Sequence, residues 1–151
     1  MYTLPYAGCH RARRVSAPGH FKFTNMRYAI DFALPVGTKI VASRGGIVVA
    51  RESRYNTNYK HPRAVTKANY IIIRHGDGTE TVYAHLAWRS IVPKIGQKVR
   101  RRQIIAQSGE TGYATYPHLH FALYDNLGRN IRITFDMPLP QKISHKNISF
   151  K

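Results

Sequence analysis

Acidic side chains are scarce in this sequence. Its 151 residues hold seven carboxylates, Asp31, Glu52, Asp77, Glu80, Glu110, Asp125 and Asp136, against 24 lysines and arginines. Any mechanism that needs two paired carboxylates must draw on that short list. Cysteine is nearly missing as well. Cys9 stands alone, so no disulfide can close within the chain. That leaves the compartment open, because periplasmic and cytosolic proteins both manage without disulfides. No run of about 18 apolar residues occurs, so no segment reads as a membrane-spanning helix. The stretch from Met1 to Arg14 lacks the apolar core of a signal peptide. Export would therefore be signal-independent, or a leader was removed before this numbering begins. A helix-period segment of convincing length is also missing.

What the chain has in excess is positive charge, +17 with neutral histidine. A field of that sign attracts polyanions: nucleic acid, anionic cell-wall polymers or lipid head groups. The length suits one domain that buries roughly two-thirds of its unfolded surface. Apolar residues at 43% place it among globular chains. The expected organisation is a basic lead-in over 1–19, a domain over 20–135 and a basic tail over 136–151.

Period-two alternation and turn residues dominate the pattern. From Tyr28 to Leu34 large and small side chains alternate. Tyr28, Ile30, Phe32 and Leu34 share one face, and Ala29, Asp31 and Ala33 the other. Further strands are expected at Lys39 to Ala42, Ile47 to Arg51, His118 to Tyr124 and Asn130 to Phe135. His75–Gly76–Asp77–Gly78 joins Asn69 to Arg74 with Thr79 to Leu86 as a hairpin. Glu52 to Ala68 reads as a long loop, of a length that is often functional. The many short strands and Gly/Pro turns predict an all-β fold, a compact antiparallel β-sandwich or groove-bearing sheet.

Pro117–His118–Leu119–His120–Phe121 is the sharpest local feature. On a strand His118 and His120 point the same way, about 6.6 Å apart. One imidazole can then hold a metal while the other reaches a water or substrate, although two ordinary surface histidines would give the same pattern. Asp31 lies in the most apolar strand, where a carboxylate needs a partner or a metal. Its small face neighbours Ala29 and Ala33 leave room for either. In Tyr83–Ala84–His85–Leu86, alternation puts Thr81, Tyr83 and His85 on one face; alone, such a histidine is merely polar surface.

Taken in order, these pieces form a recognisable set. Ala29–Ile30–Asp31, Pro35-x-Gly37–Thr38, Gly46-x-Val48, Tyr83–Ala84–His85–Leu86, Gly109-x-Thr111–Gly112 and Pro117–His118–Leu119–His120–Phe121 follow one another. The chain from about His20 to Tyr124 resembles the lysostaphin-type, or LytM-domain, zinc endopeptidases. That resemblance implies the groove-bearing antiparallel fold and one catalytic Zn2+ per chain. It makes Asp31 and His120 metal ligands, with an upstream histidine as the third, and His118 and His85 the catalytic histidines. A water-activating role for His118 and an oxyanion or water contact for His85 are expected, and the two can be exchanged. Two histidines and a carboxylate around an open position suit catalytic zinc. A histidine base also fits the shortage of acids, and no His-Glu-x-x-His run is present.

Where many relatives carry the first ligand, four residues before the aspartate, this chain has Arg27. His20, separated from Asp31 by a ten-residue insert, is the expected ligand, with His10 as the alternative. Tyr116 replaces the small residue that usually precedes Pro-His-Leu-His; it and Tyr113 are candidates for the substrate groove. Lys98 to Arg102 reads as a solvated or polyanion-binding face, and His61, His75 and His145 as bystanders.

By resemblance the substrate is a peptide crosslink or stem peptide of bacterial peptidoglycan. The protein would act as a monomer in the periplasm or outside the cell, its basic surface held on anionic wall polymers or a membrane surface. A non-catalytic domain of the same fold, binding wall or activating a partner hydrolase, is the alternative. A nucleic-acid-binding β-domain would explain the charge but not the histidines beside a buried aspartate.

Overall fold

The computed structural model describes residues 1–9, 12–16 and 24–149. Eleven strands run through them: β1 Arg13–Ser16, β2 Ile30–Ala33, β3 Lys39–Val41, β4 Gly46–Glu52, β5 Tyr70–Arg74, β6 Glu80–Ala84, β7 Lys98–Val99, β8 Ile104–Gln107, β9 His118–Tyr124, β10 Asn130–Ile131 and β11 Lys142–Ser144. The larger sheet has the order β11-β1-β2-β9-β6-β5-β4-β7, with β10 added to β9; β3 and β8 form a second, two-stranded sheet. Every pairing is antiparallel except β1 with β11. The fold is the nearly all-β one that the alternation predicts.

Alternation also explains the core. Phe32 on β2, Leu119 and Phe121 on β9, Tyr83 on β6 and Ile71 and Ile73 on β5 are all fully buried. They share a cluster with Ile40 and Ile105 of the small sheet. Tyr83 and Phe121, paired across β6 and β9, have ring centroids 5.0 Å apart. Such aromatic pairs add about 0.5–1.5 kcal/mol beyond the area they bury.

Two segments depart from the expected pattern. The predicted strand from Asn130 to Phe135 keeps its β9 pairing only at Asn130 and Ile131. Beyond that it turns to the N-terminal segment, where Tyr2 N donates to Thr134 O at 3.0 Å and Tyr2 bridges Phe135. The long loop from Glu52 to Ala68 contains a 3-10 turn, Pro62–Lys67, whose start is capped by His61 Nδ1 accepting from Arg63 N at 3.1 Å. The flanking basic segments meet at the sheet's outer edge, where Arg14 faces Lys142 and Val15 faces Ile143 in parallel.

Candidate metal and catalytic site

The site sits on the face of the large sheet opposite the aromatic core. Register alone assembles half of it. Asp31 pairs with His120, and Ala33 with His118, across β2 and β9. Paired residues point to the same side, so the carboxylate and both imidazoles converge. Asp31 Oδ1 lies 3.0 Å from His120 Nδ1, and Asp31 Oδ2 lies 3.9 Å from His118 Nε2. The row continues across the sheet from His120 to Ala84, then Tyr70, then Glu52. The small side chain of Ala84 leaves the space beside His120 open.

His85 reaches the site by breaking the pattern that the sequence suggests. Alternation would send it to the core side with Tyr83. Instead β6 ends at Ala84 and His85 takes φ +61, a left-handed conformation that costs a residue with a Cβ roughly 1–2 kcal/mol. The turn swings its ring to the other face, 4.5 Å from the His118 ring and 6.3 Å from that of His120. Leu86 then drops into the core, fully buried. Non-glycine left-handed residues held by their surroundings cluster at functional sites.

The loop Gly109–Thr111–Gly112, noted in the sequence only as a motif, aims that ring. His85 Nδ1 donates to the Thr111 carbonyl at 2.7 Å. Thr111 Oγ1 in turn donates to Leu86 O at 2.8 Å and accepts from Asn69 N at 3.0 Å. Asn69, wholly buried, ties Tyr55 and Leu86 together through its side-chain amide. Nothing in the sequence pattern singled out Asn69. Gly112 has φ +78, and a Cβ there would come within 2.8 Å of Ala68, so the two loops approach backbone to backbone. Tyr59 N and Gly112 O confirm that contact at 2.9 Å.

A carbonyl cannot donate, so both candidate catalytic rings have their tautomers set. His118 Nδ1 donates to Tyr116 O at 2.8 Å, as His85 Nδ1 does to Thr111 O. Each Nε2 is left as a lone pair. Burial and the neighbouring His118 push the His85 pKa down to about 3. Burial also lowers that of His118, with Asp31 opposing. Both rings are therefore neutral bases at pH 7. Tyr116 stacks on His118 with centroids 4.5 Å apart and donates its hydroxyl to Asp31 Oδ2 at 3.3 Å. Burial and then Asp31 hold that phenol well above its ordinary pKa. Tyr113 is half-buried in the same loop, between buried Gly112 and Ala114.

Asp31 and His120 are two donors of the kinds that zinc takes. Ligand atoms around a tetrahedral zinc stand about 3.3 Å apart, close to the 3.0 Å between Asp31 Oδ1 and His120 Nδ1. Both side chains are nearly buried, at 7% and 12% exposure, a setting that rewards a cation. Among the described residues no third His, Cys, Asp or Glu completes a metal-holding group. His20 and His10 lie outside the described residues. His61 and His75 stand away from the site: one caps a turn, and the other is buried under the 75–81 hairpin.

With fold and geometry in hand, comparison with known proteins gives the family. The profile of peptidase family M23 matches residues 25–132, and the chain belongs to that family, as the lysostaphin-type motif order implies. It is 44% identical over 93 residues to the peptidoglycan DD-endopeptidase ShyA of Vibrio cholerae, covering 62% of this chain and 19% of ShyA. Among solved structures, a zinc-containing peptidase from Vibrio cholerae matches with TM-score 0.64 and 28% identity, over 91% of this chain and 41% of that one. The catalytic domain of the antimicrobial peptidase lysostaphin from Staphylococcus simulans matches with TM-score 0.54 and 31% identity, over 80% and 81%. The chain thus spans about a fifth of ShyA's length.

Proposed function

We propose that this chain is a zinc-dependent endopeptidase that hydrolyses peptide crosslinks or stem peptides of bacterial peptidoglycan. The observation that carries the reading is the convergence of Asp31 and His120 at 3.0 Å beside two imidazoles whose Nδ1 protons are committed to backbone carbonyls. In this reading His20, Asp31 and His120 hold one zinc. The ion, when bound, supplies Lewis acidity toward water and the scissile carbonyl.

This chain's own residues supply the rest. His118 Nε2 takes the proton of the attacking water. Its Nδ1–H goes on donating to Tyr116 O, and the Asp31 carboxylate 3.9 Å away steadies the resulting imidazolium. His85 Nε2 accepts a hydrogen bond from the same water and orients it, its ring fixed by Thr111 O. His118 then returns its proton to the leaving amine. Tyr116 and Tyr113 flank the bound peptide, and residues 20–135 form the catalytic unit, with a basic lead-in over 1–19 and a basic tail over 136–151. The protein works as a monomer in the cell envelope, its basic surface resting on anionic polymers.

Zinc content and the release of soluble peptides from purified sacculi test the reading together. One zinc per chain and chelator-sensitive release are expected, with zinc lost in His20→Ala. An unchanged rate in His120→Ala would overturn the proposal.

A further inference from the structure

A second feature lies on the same row of the sheet. Glu52 stands three strands from His120, through Tyr70 and Ala84, or roughly 14 Å at the usual strand spacing. Around it is an open hollow of about 360 Å³ lined by Arg51, Glu52, Ser53, Arg54 and Arg89. Arg89 follows His85 by four residues, so the catalytic turn and the hollow share one connection.

The charges in the hollow do not cancel. Glu52 is committed to its own loop: Oε1 accepts from Ser53 N and Arg54 N, and Oε2 pairs with Arg54 Nε at 3.2 Å. Arg51 spends one donor on Pro93 O at 2.7 Å. Arg89 lies over the Trp88 ring at 4.7 Å and has no carboxylate partner among the described residues. Its φ of +52 is one that side-chain-bearing residues disfavour. Arg89 N donates to Ser53 O at 2.9 Å, which holds the turn in place. The Ser53 hydroxyl is buried and has no hydrogen-bond partner in the protein. Three guanidiniums against one committed carboxylate form a receptor for a planar anion, which guanidinium forks bind in bidentate fashion.

We propose that this hollow is a subsite for a free carboxylate of the substrate peptide, about four extended residues from the scissile bond. The inference rests on the peptidase reading and deepens it. Wall peptides are rich in free carboxylates, and a basic enzyme with one anchoring pocket beyond its reaction centre gains binding that a neutral peptide cannot provide.

The test compares two crosslinked stem-peptide dimers, one with free carboxylates and one with all of them amidated. The wild-type chain should show a KM about tenfold lower for the free acid, as expected for charge-assisted hydrogen bonds. Arg89→Gly suits the local φ and should bring the ratio of the two KM values close to one. Arg100→Gln, an equal loss of charge outside the hollow, should keep it. A ratio near one in the wild type, or one that survives Arg89→Gly, overturns the subsite. Hydrolysis of the amidated dimer establishes the peptidase reading by itself. If neither dimer is cut, the peptidase reading fails, and the dissociation constants of the two dimers judge the hollow: Arg89-dependent preference for the acid upholds it, and equal values overturn it. Arg89-dependent binding of inorganic phosphate without that preference also overturns the carboxylate assignment.

Discussion

His75 and His118 are both buried, at 3% and 5% exposure, and both anchor Nδ1 on a backbone carbonyl. They differ in what the second nitrogen meets. His75 donates to Gly45 O at 2.9 Å, and its Nε2 meets Thr81 Oγ1 at 3.0 Å. Thr81 leads on to the Tyr83 hydroxyl at 3.3 Å, which accepts from Ser43 N at 2.8 Å. That chain is closed, and its work is to hold the hairpin to the turn between β3 and β4. His118 leaves Nε2 facing Asp31 at 3.9 Å, the rings of His85 and Tyr116 on either side. A closed network stabilises; an open one is poised for chemistry.

The comparison can be broken by mutation. His118→Ala should lower the rate of peptide release by about 10³-fold, within the usual range for losing a general base, and cost less stability than His75→Ala. Comparable activity losses in the two variants would erase the distinction. Gly112→Ala puts a Cβ against Ala68 at a φ of +78. It should lower stability by about 2–3 kcal/mol in urea unfolding and cut the rate about tenfold through displacement of the Thr111 carbonyl. His75→Ala, which takes the ring from Gly45 O and leaves the Thr81 hydroxyl with Tyr83 alone, should cost about 2 kcal/mol and leave the rate of the folded protein near wild type.

The smallest effect is in pH. Burial lowers the His75 pKa in the folded state, whereas the unfolded chain keeps the ordinary value of about 6.5. Above that value the group is neutral in both states and contributes no slope. As pH falls below it, the unfolded state takes up the proton first and stability drops, by at most about 1.4 kcal/mol per unit. Urea midpoints between pH 6.5 and 5.5, measured with chelator, should fall less steeply in His75→Ala than in the wild type. Equal slopes would show that His75 binds its proton as readily in the fold as outside it.

How much of this was legible beforehand follows from the period of a strand. His118 and His120 could be placed on one face because residues two apart stay together, whereas Asp31 joined them only through the motif order; the register that pairs it with His120 sets Phe32 beside Leu119. His85 was legible as a participant only through the motif order. Alternation assigns it to the wrong face, and a histidine at φ +61 carries none of the glycine or asparagine signal that marks a left-handed turn. His75 read as a loop residue because its partners, Gly45 and Thr81, come together only through the pairing of β5 with β6 and its neighbours. The parallel contact of β1 with β11 joins residues too distant in sequence for any local pattern to show. Tyr116 was legible as unusual, yet its hydrogen bond to Asp31 depends on how the preceding loop folds back.

That parallel edge has a mechanical consequence. Force applied at the outer ends of β1 and β11, residue 13 on one strand and residue 144 on the other, would pull two parallel neighbours in opposite directions along their length. The pairs at Arg14, Val15 and Ser16 would be loaded in shear and would have to yield together, whereas an antiparallel edge pulled at its open end unzips one bond at a time. Resistance of this kind is a matter of unfolding rate, so the flanking strands would act as a small clamp that shields the site from tension along the chain.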